Sequence, residues 1–168
     1  EEDRQLKSEL MKEAGLRVPK EFDSLDDVDT PVIVKSDGAA GGVGYVIAAN
    51  REEIEGKIDS SKGYTFQEYI VGTNVFTTYF NSLAKDRLEV FGADIRYETD
   101  ADANLRFDDK PSFVVIGNIP LVLRESTLAQ YYEMGIEFIE AFRRKIGQDL
   151  AGPFCIETII NKNQEIYT

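Results

Sequence analysis

Apolar and polar positions recur with two periods along this chain, and the changes of period mark its elements. Leu6, Leu10, Met11 and Ala14 follow helical spacing within residues 2–14, Gly15 stands at a C-cap position, and Pro19 prevents continuation. An acidic connector over 21–30 leads to a β-branched run, 31–35, that predicts a strand ending in Lys35. Gly38, Gly41, Gly42 and Gly44 follow within seven positions, and 45–49 predicts the returning strand. Asn50 with Glu53 forms a capping box for a short helix reaching Ile58. A further strand over 64–71 is closed by Gly72.

The second half is rich in strands. Runs at 75–80, 88–97 and 112–119 read as strands, with a polar acidic loop over 99–111. Ser126 is placed to cap a long helix in which Leu128, Tyr131, Gly135, Ile139, Phe142 and Ile146 keep helical spacing. Arg143, Arg144 and Lys145 complement its dipole in the last turn, and Gly147 ends it. Residues 154–160 and 165–168 predict a hairpin around Asn161-Lys162-Asn163. The pattern is an α+β fold, mostly antiparallel, in two lobes spanning 1–71 and 72–168. The seam falls at 70–73, and a cleft between lobes is a common ligand position.

Composition narrows the chemistry. The 168 residues are 42% hydrophobic and 30% charged, an ordinary globular balance with length for a real core. A net charge of −12 argues against a general nucleic-acid or anionic-membrane binder, though a local anion pocket needs only a few cations. With no histidine and one cysteine, Cys155, the Ser-His-Asp and Cys-His triads and an intramolecular disulfide are excluded. A bound metal should be a hard cation on oxygen ligands, Mg²⁺ before Ca²⁺. No run reaches the roughly 18 apolar residues of a membrane span. The chain opens without methionine and stops within a strand-like run, which reads as part of a longer protein.

Lys35 followed by a glycine hairpin suggests a phosphate cover, because glycines let backbone N–H groups approach an anion. It is neither of the common phosphate loops, since no G-x-x-x-x-G-K-[ST] and no helix-opening G-x-G-x-x-G is present. The structural alternative is a hairpin turn beside a surface lysine. Gln67-Glu68-Tyr69-Ile70 lies at the seam, where exposed backbone groups and a side-chain oxygen would suit a purine; the alternative is a buried strand with a solvated Gln-Glu pair.

Strand-Lys35, glycine flap, strand, helix and the Q-E-Y-I-V-G strand together resemble the nucleotide half of ATP-grasp ligases. More narrowly, G-N-I-P-L-V-L-R-E-S (117–126), G-P-F-C-I-E-T (152–158) and the R-Y-E at Arg96–Glu98 resemble the archaeal-type formate-dependent phosphoribosylaminoimidazolecarboxamide ligases of purine biosynthesis. The resemblance runs across the whole chain and implies an ATP-grasp fold with an ATP cleft between its lobes.

It also implies roles. Lys35 would hold ATP phosphates under the flap formed by Gly38, Gly41, Gly42 and Gly44; Gln67, Glu68, Tyr69 and Ile70 would cradle adenine; Glu98 would contact the ribose. Asn118 would bind the substrate carboxamide, or merely form a turn beside Gly117. Arg124 would clamp phosphoryl charge, or pair with Glu125. Glu157, in the otherwise apolar 154–160, must be paired, hydrated or metal-bound, and is the expected Mg²⁺ ligand, with Mn²⁺ the alternative ion. The partner glutamate of the family would lie beyond Thr168. Formate and the aminoimidazolecarboxamide ribonucleotide are the implied substrates of a cytoplasmic, ADP-forming ligase that is a homo-oligomer at full length. Three positions depart from the family pattern: Ala40 and Val43 replace common basic residues, and Thr78 replaces a common histidine. The acidic loop 99–111 also looks shorter than usual. These departures keep open a non-catalytic or altered-substrate paralogue that binds nucleotide.

Overall fold

The computed structural model describes residues 4–40, 43–55, 58, 63–100 and 113–168. Its elements run α1 (Arg4–Glu13), β1 (Glu21–Phe22), a short 3-10 turn (Leu25–Asp27), β2 (Val32–Ala40), β3 (Val43–Ala48), α2 (Arg51–Glu55), β4 (Tyr64–Glu68), β5 (Gly72–Ser82), β6 (Arg87–Asp100), β7 (Phe113–Leu121), α3 (Glu125–Ile146), β8 (Gly152–Asn161) and β9 (Ile166–Tyr167). They form two sheets, β1-β4-β2-β3 and β7-β6-β5-β8-β9. The pairs β1–β4, β2–β3, β2–β4, β5–β6, β5–β8 and β8–β9 are all antiparallel.

Two compact units result. The first holds residues 19–70 with the far end of β6 and the start of β7; the second holds α1 and its trailing residues to Val18, then 71–97 and 117–168. The chain passes from the first unit to the second at Ile70/Val71, with α1 on the far side of that point from its neighbours in sequence. Helix α1 belongs with the second unit because Lys145 reaches Glu9 at 2.7 Å and Arg144 reaches Glu13 at 3.4 Å, and because Met11 packs into that unit's core.

In the first unit, alternation in β2 sends Val32 and Val34 inward, where they meet Phe22, Ala48 and Ile54. The capping box forms with a one-residue offset. Asn50 Oδ1 accepts from Glu53 N at 3.0 Å, while the Glu53 carboxylate accepts from Ala49 N at 3.1 Å. Helix α2 is described to Glu55, and Ile58 N still donates to Ile54 O at 3.1 Å.

In the second unit, α3 lays Tyr131, Gly135 and Ile139 along one stripe, four residues apart, against the sheet. Gly135 is required there: a Cβ at that position would stand 2.6 Å from the ring of fully buried Tyr79. The helix begins at Glu125 with Arg124 as its cap residue, so Ser126 lies inside it. No side-chain cap forms; the Arg124 carbonyl instead accepts from Thr127 and Leu128. Gly147 ends the helix in the left-handed conformation, φ +73°.

Candidate functional site

In the first sheet, the residues that alternate with the core set share the opposite face. The register pairs Ile33 with Gln67 and with Ile47, and Lys35 with Thr65. Lys35 Nζ donates to Gln67 Oε1 at 2.8 Å, a diagonal contact across neighbouring strands. Ile33 is half-buried and Ile47 is 41% exposed, so the cation and amide stand beside a flat aliphatic surface. The sequence reading did not single out the two isoleucines, although their alternation with Val32, Val34 and Ala48 carried the signal.

The end of β4 is held by backbone bonds. Glu68 N donates to Lys20 O and Tyr69 N to Pro31 O, both at 2.8 Å, and the Glu68 carboxylate accepts from Lys20 N at 3.2 Å. Tyr69 is exposed and Ile70 buried. Among the described residues the Ile70 N–H has no acceptor. The loop expected over 38–44 is largely strand: β2 runs through Gly38 to Ala40, and Gly44 lies in β3. The ladder slips between Lys35 and Ala40 before Ala40 pairs with Val43. Gly41 and Gly42 lie outside the described residues.

In the second unit, alternation along β8 buries Ile156 and Thr158 and exposes Cys155 and Glu157. Register places Phe76 of β5 opposite Glu157 on one side and Asp94 of β6 on the other, and Thr78 opposite Cys155 and Gly92. These side chains share the sheet face turned away from α3. The Arg96 guanidinium carbon lies 3.7 Å from the centre of the Phe76 ring. Partial desolvation pushes the Cys155 thiol above its ordinary pKa; Arg96 pulls it down, Asp94 pushes it up, a hydrogen bond with Thr78 lowers it, and Glu157 raises it. The thiol is therefore a poor nucleophile at neutral pH despite its exposure.

Beneath that face lies a buried chain of hydroxyls. Tyr79 Oη donates to Tyr131 O at 2.8 Å, and Thr158 Oγ1 donates to Val75 O at 2.9 Å. Thr158 has a single proton, so the 2.6 Å contact with Tyr131 Oη must be donated by the tyrosine. Burial holds both phenols above their usual range.

The remaining expected residues are spread out. Glu98 lies near the end of β6, with its side chain outside the described part. Asn118, for which a turn beside Gly117 was the alternative, lies within β7, an edge strand that tolerates Pro120, and is exposed. Arg124 is exposed, and among the described residues its guanidinium makes no ion pair. Among the described residues no group of three or more acidic or cysteine side chains converges on one point. Mg²⁺ is commonly held by one or two carboxylates together with phosphates and water, and the Glu157 side chain is exposed.

Comparison with known proteins agrees with the fold and with the sequence resemblance. The chain is 44% identical over 167 residues to the 5-formaminoimidazole-4-carboxamide ribonucleotide synthetase of Pyrobaculum calidifontis, covering 99% of this chain and 50% of that protein. The corresponding protein of Methanocaldococcus jannaschii is 40% identical over 185 residues, covering 99% and 51%. The chain thus spans about half the length of these relatives. Among solved structures, an IMP biosynthesis protein PurP from Thermococcus kodakaraensis aligns with a TM-score of 0.69 at 23% identity, over 98% of this chain and 51% of that one. An N5-carboxyaminoimidazole synthetase from Staphylococcus aureus, solved with ADP, aligns at 0.66 and 19% identity, over 98% and 42%. The architecture is the ATP-grasp fold. Residues 47–168 match the family described as a domain of unknown function (DUF1297), and the chain belongs to that family.

Proposed function

We propose that the protein carrying this chain is an ATP- and formate-dependent ligase that converts the 5-aminoimidazole-4-carboxamide ribonucleotide to its 5-formamido product. The observation that carries the reading is the 40–44% identity, over 99% of this chain, to synthetases named for that product. ATP phosphorylates formate; the amine then attacks the acyl phosphate, a C–N bond forms, and inorganic phosphate leaves. Such chemistry depends on positioning and charge neutralisation, and it needs no nucleophilic side chain. A chain without histidine, and with its one thiol held neutral, is compatible with it.

Each unit contributes residues suited to a part of the task. Adenine lies on Ile33 and Ile47, with Gln67 to Ile70 at its edge and the Ile70 N–H available to a ring nitrogen. Lys35 moves from the Gln67 amide to phosphate oxygens, and the glycine hairpin covers them. Glu98 accepts from the ribose hydroxyls, Asn118 meets the carboxamide, and Arg124 meets phosphoryl charge. Glu157 would hold Mg²⁺, which when bound neutralises phosphate charge. A cytoplasmic setting goes with that metabolism.

The test is incubation of the full-length protein with ATP, formate and the ribonucleotide, followed by mass spectrometry. The formylated nucleotide and stoichiometric ADP are expected. ATP binding without formylated product would overturn the reading and favour the altered-substrate paralogue that Ala40, Val43 and Thr78 keep open.

A further inference from the structure

Arg96 is part of the motif that marked the sequence, yet the reading above gives it no task. Its neighbourhood supplies one. The Phe76 ring beneath it is 2% exposed and so forms a fixed platform for the guanidinium. Stacking uses the face of the guanidinium and leaves its in-plane N–H donors available. Among the described residues no carboxylate holds Arg96 in an ion pair. Two strand positions away, Asp94 Oδ1 is buried without a donor, an arrangement that costs stability until an N–H arrives. Space is present as well: a Cβ built on Gly92, across from Thr78, would meet nothing within 4 Å.

A cation with available donors and an acceptor lacking one, on the same sheet face, match a ligand pair that brings an anionic oxygen and an N–H. The charge balance selects the anion. A single guanidinium with Asp94 beside it presents one planar fork, which suits a small, singly charged carboxylate better than a multiply charged phosphate. We propose that Arg96 binds the small carboxylate substrate of the ligase and that Asp94 Oδ1 accepts a hydrogen bond from the attacking amine. This rests on the ligase reading. In the step concerned, the amine nitrogen bonds to the acyl carbon and the bond from that carbon to the phosphate oxygen breaks. Phosphate leaves with the electron pair, and the amine loses one proton to solvent. Arg96 holds the carboxylate before phosphorylation and the acyl oxygen after it.

The experiment is steady-state kinetics of the full-length protein with formate, ATP and the ribonucleotide varied in turn. Arg96→Ala is expected to raise the formate KM about ten- to a hundred-fold, the loss of one charge-assisted contact, with the ATP KM little changed. Added guanidinium ion should partly restore it, which a merely structural role would not allow. Arg96→Lys, which keeps the charge and the stem, should give an intermediate formate KM and decides the matter if the alanine variant does not fold. Asp94→Asn should raise the KM of the amine substrate and leave that of formate. An unchanged formate KM in both Arg96 variants, or an ATP KM that rises equally, overturns the assignment of Arg96; an unchanged amine KM overturns that of Asp94. If the unaltered protein forms no formylated product, it is the ligase reading that falls.

Discussion

Lys35 and Gln67 lie 32 residues apart in sequence and 2.8 Å apart in space. The lysine–amide bond is already charge-assisted through the ammonium, and a phosphate partner adds a full opposing charge to it. Lys35→Ala should weaken ATP binding about tenfold or more and lower the thermal midpoint by only a few degrees. Titration calorimetry on the two proteins checks this, and equal affinities would remove Lys35 from the phosphate site. Glu157→Gln keeps the shape of the side chain but removes its charge and replaces one acceptor oxygen with an NH2 donor. The Mg²⁺ concentration for half-maximal ATP turnover should rise at least about tenfold, while ATP binding measured without metal should not move. An unchanged metal requirement would leave Glu157 as an ordinary exposed carboxylate.

At the scale of elements, legibility followed how much a single period determined. The faces of β8 could be read because alternation alone sends Cys155 and Glu157 one way and Ile156 and Thr158 the other. The stripe of α3 was legible for the same reason, at helical period. The start of that helix was not, because Ser126 is a good cap by propensity while the chain turns two residues earlier at Arg124 with no side-chain cap. The glycine segment was read as loop, whereas β2 and β3 carry their strands into it. Pairing between backbones with small side chains leaves no periodic trace. Arg96 over Phe76, with Asp94 beside it, is a cross-strand relation set by register, which no single stretch of sequence encodes. Register also makes a prediction. Thr158 ties β8 to Val75 of β5 and receives the Tyr131 proton, and it is adjacent to Glu157. Thr158→Val is nearly isosteric but strands a buried phenol hydroxyl, so it should cost about 1–3 kcal/mol in urea unfolding. Tyr131→Phe leaves the Thr158–Val75 bond intact and should cost less. Equal losses in the two variants would contradict the donor assignment.

At the scale of the molecule, the second unit is closed by contacts between distant parts of the chain. Thr168 N donates to Arg17 O at 2.8 Å, Arg17 pairs with Glu165, and the Arg17 guanidinium lies 5.3 Å from the centre of the Tyr167 ring. Glu165 also accepts from the Asn161 amide at 2.7 Å, within the turn that joins β8 to β9. With 31 acidic against 19 basic side chains, general repulsion eases as the pH falls toward the carboxylate range, so a local acid-labile contact must be separated from that background. Glu165 permits the separation. The Asn161 amide, and then Arg17, hold its carboxyl below the ordinary range. A depressed folded pKa means that its contribution to stability is present above the unfolded value of about 4.3 and is lost as the pH falls through the lower, folded value. Glu165→Gln removes the ionised form at every pH. The difference in urea midpoint between the parent and Glu165→Gln should therefore be largest near neutrality and close as the solution is taken below about pH 4. Because the site is exposed, salt should shrink it as well. A difference that stays constant with pH would mean that Glu165 acts through packing of the turn, with its charge irrelevant to how the chain is closed.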